Sequence, residues 1–210
     1  MSRYRLAAIS LLLLGWAPLR SPRARLKPAH RVVGQVLPAS VGPVQELHFA
    51  KPFRYVGAQR FILKKVADAE QHFFVEKGKP GTIRRLYWIQ FEKLLPGKGE
   101  EYDYSQDVEV PVNGVAFWRN ARRWDSPPEP DSDRSAMNAF LGNHGLRIPD
   151  GAVRVRLVHV PEGNRREELM IVYAEAPDPA AAVPPSEIDV QLRAREGLRV
   201  VAVAPCAHEG

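Results

Sequence analysis

Apolar and polar residues alternate with a period of two through much of the chain, the pattern of strands that turn one face to a core. Six segments carry it: 59–66, 71–76, 83–92, 108–118, 152–160 and 168–175, each rich in Val, Ile, Phe, Tyr or Trp and bounded by Gly, Pro, Asp or Asn. The connections 77–82 (Lys-Gly-Lys-Pro-Gly-Thr) and 161–166 (Pro-Glu-Gly-Asn-Arg-Arg) have hairpin chemistry, so the sheet is expected to be mainly antiparallel.

Two segments follow the helical period instead. Ser132 is an N-cap, Met137, Phe140, Leu141 and His144 fall on one helical face, and Gly145 supplies a left-handed stop, which predicts a helix over 133–144. Ser186 with Asp189 three residues on makes a capping box with the shorter acid, and Gly197 ends that helix. The apolar run 198–204 then reads as a final strand or a tail packed on the sheet. The fold class expected is α+β: a mainly antiparallel sheet of about six strands with one or two helices packed on it.

Residues 31–43 are small, dotted with Pro and free of charge after Arg31, which suits a linker or an extended first segment. The folded body is expected over 44–205 as a single domain, with 206–210 a tail. The Pro-rich breaks 126–130 and 176–185 mark loops within it, because the pieces between them are too small to bury cores of their own.

Charge changes the picture less than the formal net of +6 and a pI near 9.6 suggest. Arg3, Arg5, Arg20, Arg23, Arg25, Lys27 and Arg31 all precede the first acidic residue, Glu46, and the remaining chain holds 23 basic against 24 acidic residues. A nearly neutral body excludes a globally basic nucleic-acid binder. Within the leader 1–30, Arg3 and Arg5 are followed by an apolar run over 6–17 that includes Leu11 to Leu14, the n-region and h-region of a secretory signal. That run is shorter than the about 20 residues needed to span a bilayer. The expectation is export to the periplasm or extracellular space, or membrane attachment through residues 1–30; an organelle transit peptide is the alternative. Cys206 is the one cysteine, so no intramolecular disulfide and no cysteine-rich zinc site can form.

Alternation puts Glu70, His72, Phe74 and Glu76 on one face, and a loop centred near Lys79 and Pro80 sets His72 opposite Tyr87, on the face that carries Arg85. A histidine beside a carboxylate and a phenol suits general acid–base work, with His72 as base, Glu70 or Asp68 orienting it, and Tyr87 or Arg85 stabilising developing charge. A sheet solvated on one side supplies the same residues without chemistry, Glu76 and Arg85 then being a cross-strand pair. On the other face, Arg84, Trp88, Gln90 and Glu92 suit a concave ligand surface. The stretch 117–124 (Phe-Trp-Arg-Asn-Ala-Arg-Arg-Trp) interleaves arginines with aromatics, which suits clamping a phosphate, stacking a base or meeting an anionic lipid surface, the alternative being internal pairing of the arginines with Asp125, Glu129, Asp131 and Asp133. Arg154 and Arg156 share one face of their strand, with His159 on the apolar opposite one.

The signatures of zinc proteases, serine hydrolases, P-loops and dinucleotide folds are missing. Cys206 with His208 makes no metal site alone, and the acidic loop around Asp103 and Asp107 lacks a calcium-loop ligand ladder. No metal ligands and no cofactor are assigned. The sequence therefore favours a non-catalytic binding or accessory domain for a small anionic or aromatic ligand or a protein partner, with Arg85, Trp88, Trp118, Arg119 and Arg122 as ligand contacts. The alternative is a cup-shaped α+β hydrolase or lyase with His72 as general base beside Glu70 and Tyr87.

Overall fold

Ten strands and two helices form among residues 26–177 and 186–203, the part of the chain that the computed structural model describes. The leader up to residue 25, most of the second Pro-rich break, and Cys206 with His208 lie outside the described residues. The main sheet has seven strands in the order β3 (Arg54–Leu63), β4 (Ala67–Lys77), β5 (Ile83–Leu94), β9 (Glu167–Glu175), β8 (Val153–His159), β7 (Val115–Arg123) and β6 (Val108–Val112). Every neighbouring pair is antiparallel. A second sheet pairs β1 (Val36–Val41), β2 (Val44–Phe49) and β10 (Leu198–Ala202), again antiparallel, in the order β1-β2-β10.

The architecture is thus richer in sheet than the six-strand expectation, and local chemistry explains why. Asn113 and Gly114 both have positive φ, 50° and 82°, the two-residue turn that folds 108–118 into the β6–β7 hairpin instead of one strand. Lys64 and Lys65 also sit at positive φ, 46° and 62°, ending β3 at Leu63 without a glycine to announce the turn. This starts β4 at Ala67 and carries Asp68 and Glu70 into a strand. The segment 31–43 contains β1, whose Pro38 is tolerated because β1 is an edge strand. Order also begins before residue 31: Leu26 bridges Arg60, and residues 26–30 pack on the sheet.

The helices follow the sequence closely. Helix α1 (Asp133–Asn143) starts at the Ser132 cap, whose side chain accepts from Ser135 N–H. Helix α2 (Glu187–Gly197) opens on the Ser186–Asp189 capping box and runs directly into β10. The second sheet and α2 cover one face of the main sheet, setting Leu47, Phe49, Val190 and Ala194 against Phe74, Tyr87, Ile89 and Tyr173. Helix α1 covers part of the other, with Met137, Phe140 and Leu141 on Phe73, Leu86 and Trp88. Both faces are occupied, which corrects the picture of a sheet solvated on one side and explains the near-continuous burial along β4, β5 and β9.

A ladder of glutamines docks α1. Gln59 Nε2 donates to Gln71 Oε1 (2.7 Å), Gln71 Nε2 to Gln90 Oε1 (2.7 Å) and Gln90 Nε2 to Glu92 Oε2 (2.6 Å). The first two amides also donate to helix carbonyls, Ala136 O and Asp133 O, at 2.9 and 3.1 Å. Each buried amide is satisfied, and the first turns of α1 are fixed over one end of the sheet.

Candidate functional site

Strand register assembles the α1 face of the main sheet in rows. One row runs Trp88, Val172, Arg156, Asn120 across β5, β9, β8 and β7. The next runs Leu86, Ala174, Arg154, Arg122, so two arginines lie directly opposite one another. Like charges at facing positions destabilise a sheet unless something else requires them. Trp124, Ser126, Asp133 and Arg134 rise beside these rows and close a cavity of about 370 Å³, floored by Trp88, Met170 and Val172 and ringed by Arg122, Arg123, Arg134, Arg154 and Arg156.

The cavity is cationic and only partly neutralised. Arg156 donates to Asp107 Oδ2 at 2.7 Å and lies 5.1 Å from the Tyr104 ring centre. Arg134 stacks 4.8 Å over Trp124 and donates to Ser126 O at 2.9 Å. Arg154 reaches Asn120 Oδ1 only at 3.4 Å. Burial, followed by the like charges of Arg156 and Arg122, pushes the Arg154 guanidinium down to about 10. Burial likewise raises the Asp133 carboxyl, despite the Arg134 N–H it accepts and the arginines nearby. Four buried N–H donors on cavity-lining residues meet no acceptor among the described residues: Trp88 Nε1, Arg134 Nε, Arg154 Nη1 and Arg156 Nε. A carboxylate or phosphate supplies acceptors of the charge these donors need.

Further along the same face the polarity inverts. Glu92 and Glu168 are facing partners on β5 and β9, capped by the Tyr102 hydroxyl (2.8 Å) and the Tyr104 hydroxyl (2.6 Å) respectively. Burial raises both carboxyls above the ordinary range, and their mutual repulsion adds to it at Glu168.

On the opposite face, His72 pairs across the strands with Ile89, and Tyr87 pairs with Phe74. The expected His72–Tyr87 contact is therefore absent: the Tyr87 hydroxyl donates to Ala194 O at 2.6 Å, inside the core beneath α2. The true register differs from the expected one by two residues, which keeps each side chain on its face while changing its neighbour. Glu70 does meet His72, with His72 Nε2 2.8 Å from Glu70 Oε1. His72 Nδ1 is 3.1 Å from the Tyr55 hydroxyl, so both ring nitrogens of this wholly buried histidine are engaged. A third group, absent from the sequence reading, is His30, whose Nδ1 lies 3.0 Å from the same Glu70 oxygen. Burial alone would raise the Glu70 carboxyl, but hydrogen bonds from both imidazoles and from the Ala29 and His30 N–H groups hold it well below the usual range.

Of the ligand contacts expected from sequence, Trp88 and Arg122 line the cationic cavity, and Trp118 is half-buried against the same core one row beyond Trp88. Arg85 and Arg119 are on the other face. Arg85 pairs with Glu76, as expected, and lies 5.2 Å from the Phe53 ring centre; Arg119 donates to Gln191 of α2. Arg119 and Arg122 are three residues apart, and an odd interval in a strand sends them to opposite sides, so the stretch 117–124 makes no single clamp. Arg154 and Arg156 share a face as read, yet their role needed the β7–β8 register. Arg134 had no signal beyond its place in the first turn of a helix. No protein-family model matches the chain, and neither does any curated protein or solved structure.

Proposed function

We propose that the protein is a non-catalytic binding domain for a small anion with an apolar or aromatic body, taken up in the arginine cavity between the main sheet and the start of α1. The observation that carries this reading is the set of four buried, unsatisfied N–H donors on residues lining one cavity. Buried donors are otherwise almost always paired, and leaving one unpaired costs about 1–3 kcal/mol, a cost that an anion entering the cavity would lower by drawing the guanidinium groups toward it. Arg122, Arg154 and Arg156 would take the anionic head, and Trp88, Met170 and Val172 would contact the body. The volume of about 370 Å³ falls in the range of small-molecule sites. The signal-like leader supports placing this domain outside the cytoplasm or at a membrane surface, and fractionation of the expressed chain tests that placement.

The binding test is a thermal-shift screen with benzoate, indole-3-acetate, phenyl phosphate and naphthalene sulfonate. A ligand at about 100 times its Kd adds about 2.7 kcal/mol of stability, a rise of several degrees. The expected result is a rise that disappears in Arg154→Met and persists in Arg119→Ala. Absence of any rise, or equal loss in both variants, overturns the reading.

A further inference from the structure

We infer that His30, Glu70 and His72 form a binding site for a divalent transition metal, built from two imidazoles and one carboxylate. The site lies on the face of the main sheet away from the arginine cavity and does not depend on the function proposed for that cavity. His72 and Glu70 are alternate residues of β4 and so project from the same face. His30 comes from the arm 26–30, which is tied down at three points: the Leu26–Arg60 bridge, Ala29 N–H donating to Glu70 Oε2 at 2.7 Å, and His30 N–H donating to Glu70 Oε1 at 2.8 Å. The His30 ring is further fixed by stacking on Phe91, with ring centres 3.9 Å apart.

The donor atoms already converge. His30 Nδ1 and His72 Nε2 lie 3.0 and 2.8 Å from Glu70 Oε1, and all three ligand atoms fall within 4.8 Å of one another. Zinc–ligand bonds of about 2.0–2.1 Å place tetrahedral donors about 3.3 Å apart, so adjustments of ångström size or less admit an ion. Here two imidazoles meet on one oxygen, with both backbone donors of the arm added.

The surroundings are those of a metal centre. The Tyr55 hydroxyl, 3.1 Å from His72 Nδ1, can accept that nitrogen's proton, which leaves the Nε2 lone pair for the ion. Ala29 N–H occupies the second carboxylate oxygen and favours monodentate binding. An open cavity of about 200 Å³ adjoins His30 and Glu70, walled by Ser40, Arg60 and Lys93, and gives water or a small anion access to the remaining coordination positions. Two nitrogens and one oxygen of intermediate softness select Zn²⁺, Co²⁺ or Fe²⁺ over Ca²⁺ or Mg²⁺.

The test is titration of the untagged full chain with Co²⁺, read by visible d–d absorption, and with Zn²⁺, read by thermal shift. The expected result is saturation at one equivalent. His30→Ala should weaken binding at least 10-fold, its zinc-induced shift being read against its own melting temperature in EDTA because the ring also bonds Glu70 and stacks on Phe91. Tyr55→Phe should weaken it about 10-fold through the outer shell alone. The double variant Cys206→Ala/His208→Ala and Arg154→Met should each bind like the parent. Absence of a cobalt band, or a band that survives His30→Ala and vanishes in the Cys206→Ala/His208→Ala variant, overturns the site.

Discussion

Replacing Arg154 with Met should make the ligand-free protein more stable and, in the same stroke, abolish anion binding. Arg154 is half-buried on β8, faces Arg122 across the strand pair, and makes a single long hydrogen bond among the described residues, at 3.4 Å to Asn120. Its guanidinium is pushed down from the ordinary arginine range to about 10 by burial and then by Arg156 and Arg122. At about 1.4 kcal/mol for each factor of ten, that depression means the charged form is disfavoured by about 3 kcal/mol in the fold. Solvent at the cavity mouth screens part of this, leaving about 1–2 kcal/mol. Methionine keeps the length of the side chain, packs beside Met170 and Val172, and carries neither the charge nor the unpaired Nη1–H. In a domain of this size the gain corresponds to a Tm rise of about 3–6 °C. The assay is differential scanning calorimetry of parent and variant without ligand, followed by the thermal-shift series with aromatic anions. A site kept for function trades stability for binding, so the two effects should have opposite signs. A fall in Tm of more than about 3 °C would refute the reasoning, because it would identify Arg154 as a cation that the fold itself neutralises.

Gly197→Ala should destabilise the protein by about 2–4 kcal/mol in urea melts. A Cβ there would sit 2.5 Å from the Tyr87 hydroxyl and 2.9 Å from Phe53 Cε2, both on wholly buried rings, so the added methyl overpacks the core and disturbs the Tyr87–Ala194 hydrogen bond. A variant within 0.5 kcal/mol of the parent would show that α2 is loosely seated. A third prediction concerns pH. Glu168 keeps its proton in the fold up to about 8, whereas the unfolded chain releases it near the ordinary value of 4.5. Its contribution to stability is therefore fully present below about pH 4.5 and is lost as pH rises through about 8, by a few kcal/mol at most. Glu168→Gln should remove that slope, so the difference in stability between variant and parent, from urea melts between pH 5 and 8.5, should widen in favour of the variant. A constant difference would mean that Glu168 is ionised throughout.

Periodicity and punctuation made the helices, the antiparallel pairing and most strand cores legible, because those features depend on residues close in sequence. Ser132, the Ser186–Asp189 box and Gly145 act within a turn of where they stand, and α1 and α2 begin at the capping residues. Where the expectation failed, the deciding physics was unsignalled or distant. The turn at Lys64 and Lys65 uses residues with no special preference for positive φ, so nothing local marks where β4 begins, three residues before Glu70. The His72 neighbour depended on a loop whose true centre shifts the register by two residues, enough to exchange Tyr87 for Ile89. His30 lies 40 residues from Glu70, in a stretch whose charge and composition pointed to a leader. The cationic cavity needed two facts together: the β7–β8 register that sets Arg122 against Arg154, and the glutamine ladder that holds the start of α1, with Arg134, above them.

The α1 face of the main sheet is where local rules are broken most often, and the breaks are ordered. Arg122 faces Arg154 at one end, Glu92 faces Glu168 at the other, and Trp88, Val172 and Met170 lie between them. Random tolerance of unfavourable pairs would scatter them over the sheet. Sequences that otherwise agree with their fold at every level tend to concentrate such conflicts where function requires them. The acidic pair relieves its repulsion by holding a proton and by accepting from Tyr102 and Tyr104. The basic pair has no equivalent device: a guanidinium pushed down to about 10 remains charged at neutral pH, and Asp133 and Asp107 act on Arg154 only through space, the Asp107 hydrogen bond going to Arg156. Protonation can quench one end of the face from within, whereas at the other end the proposed function assigns that task to an anion from outside. That asymmetry, more than the number of arginines, is what favours a ligand over an internal ion-pair network as the reason for the cavity.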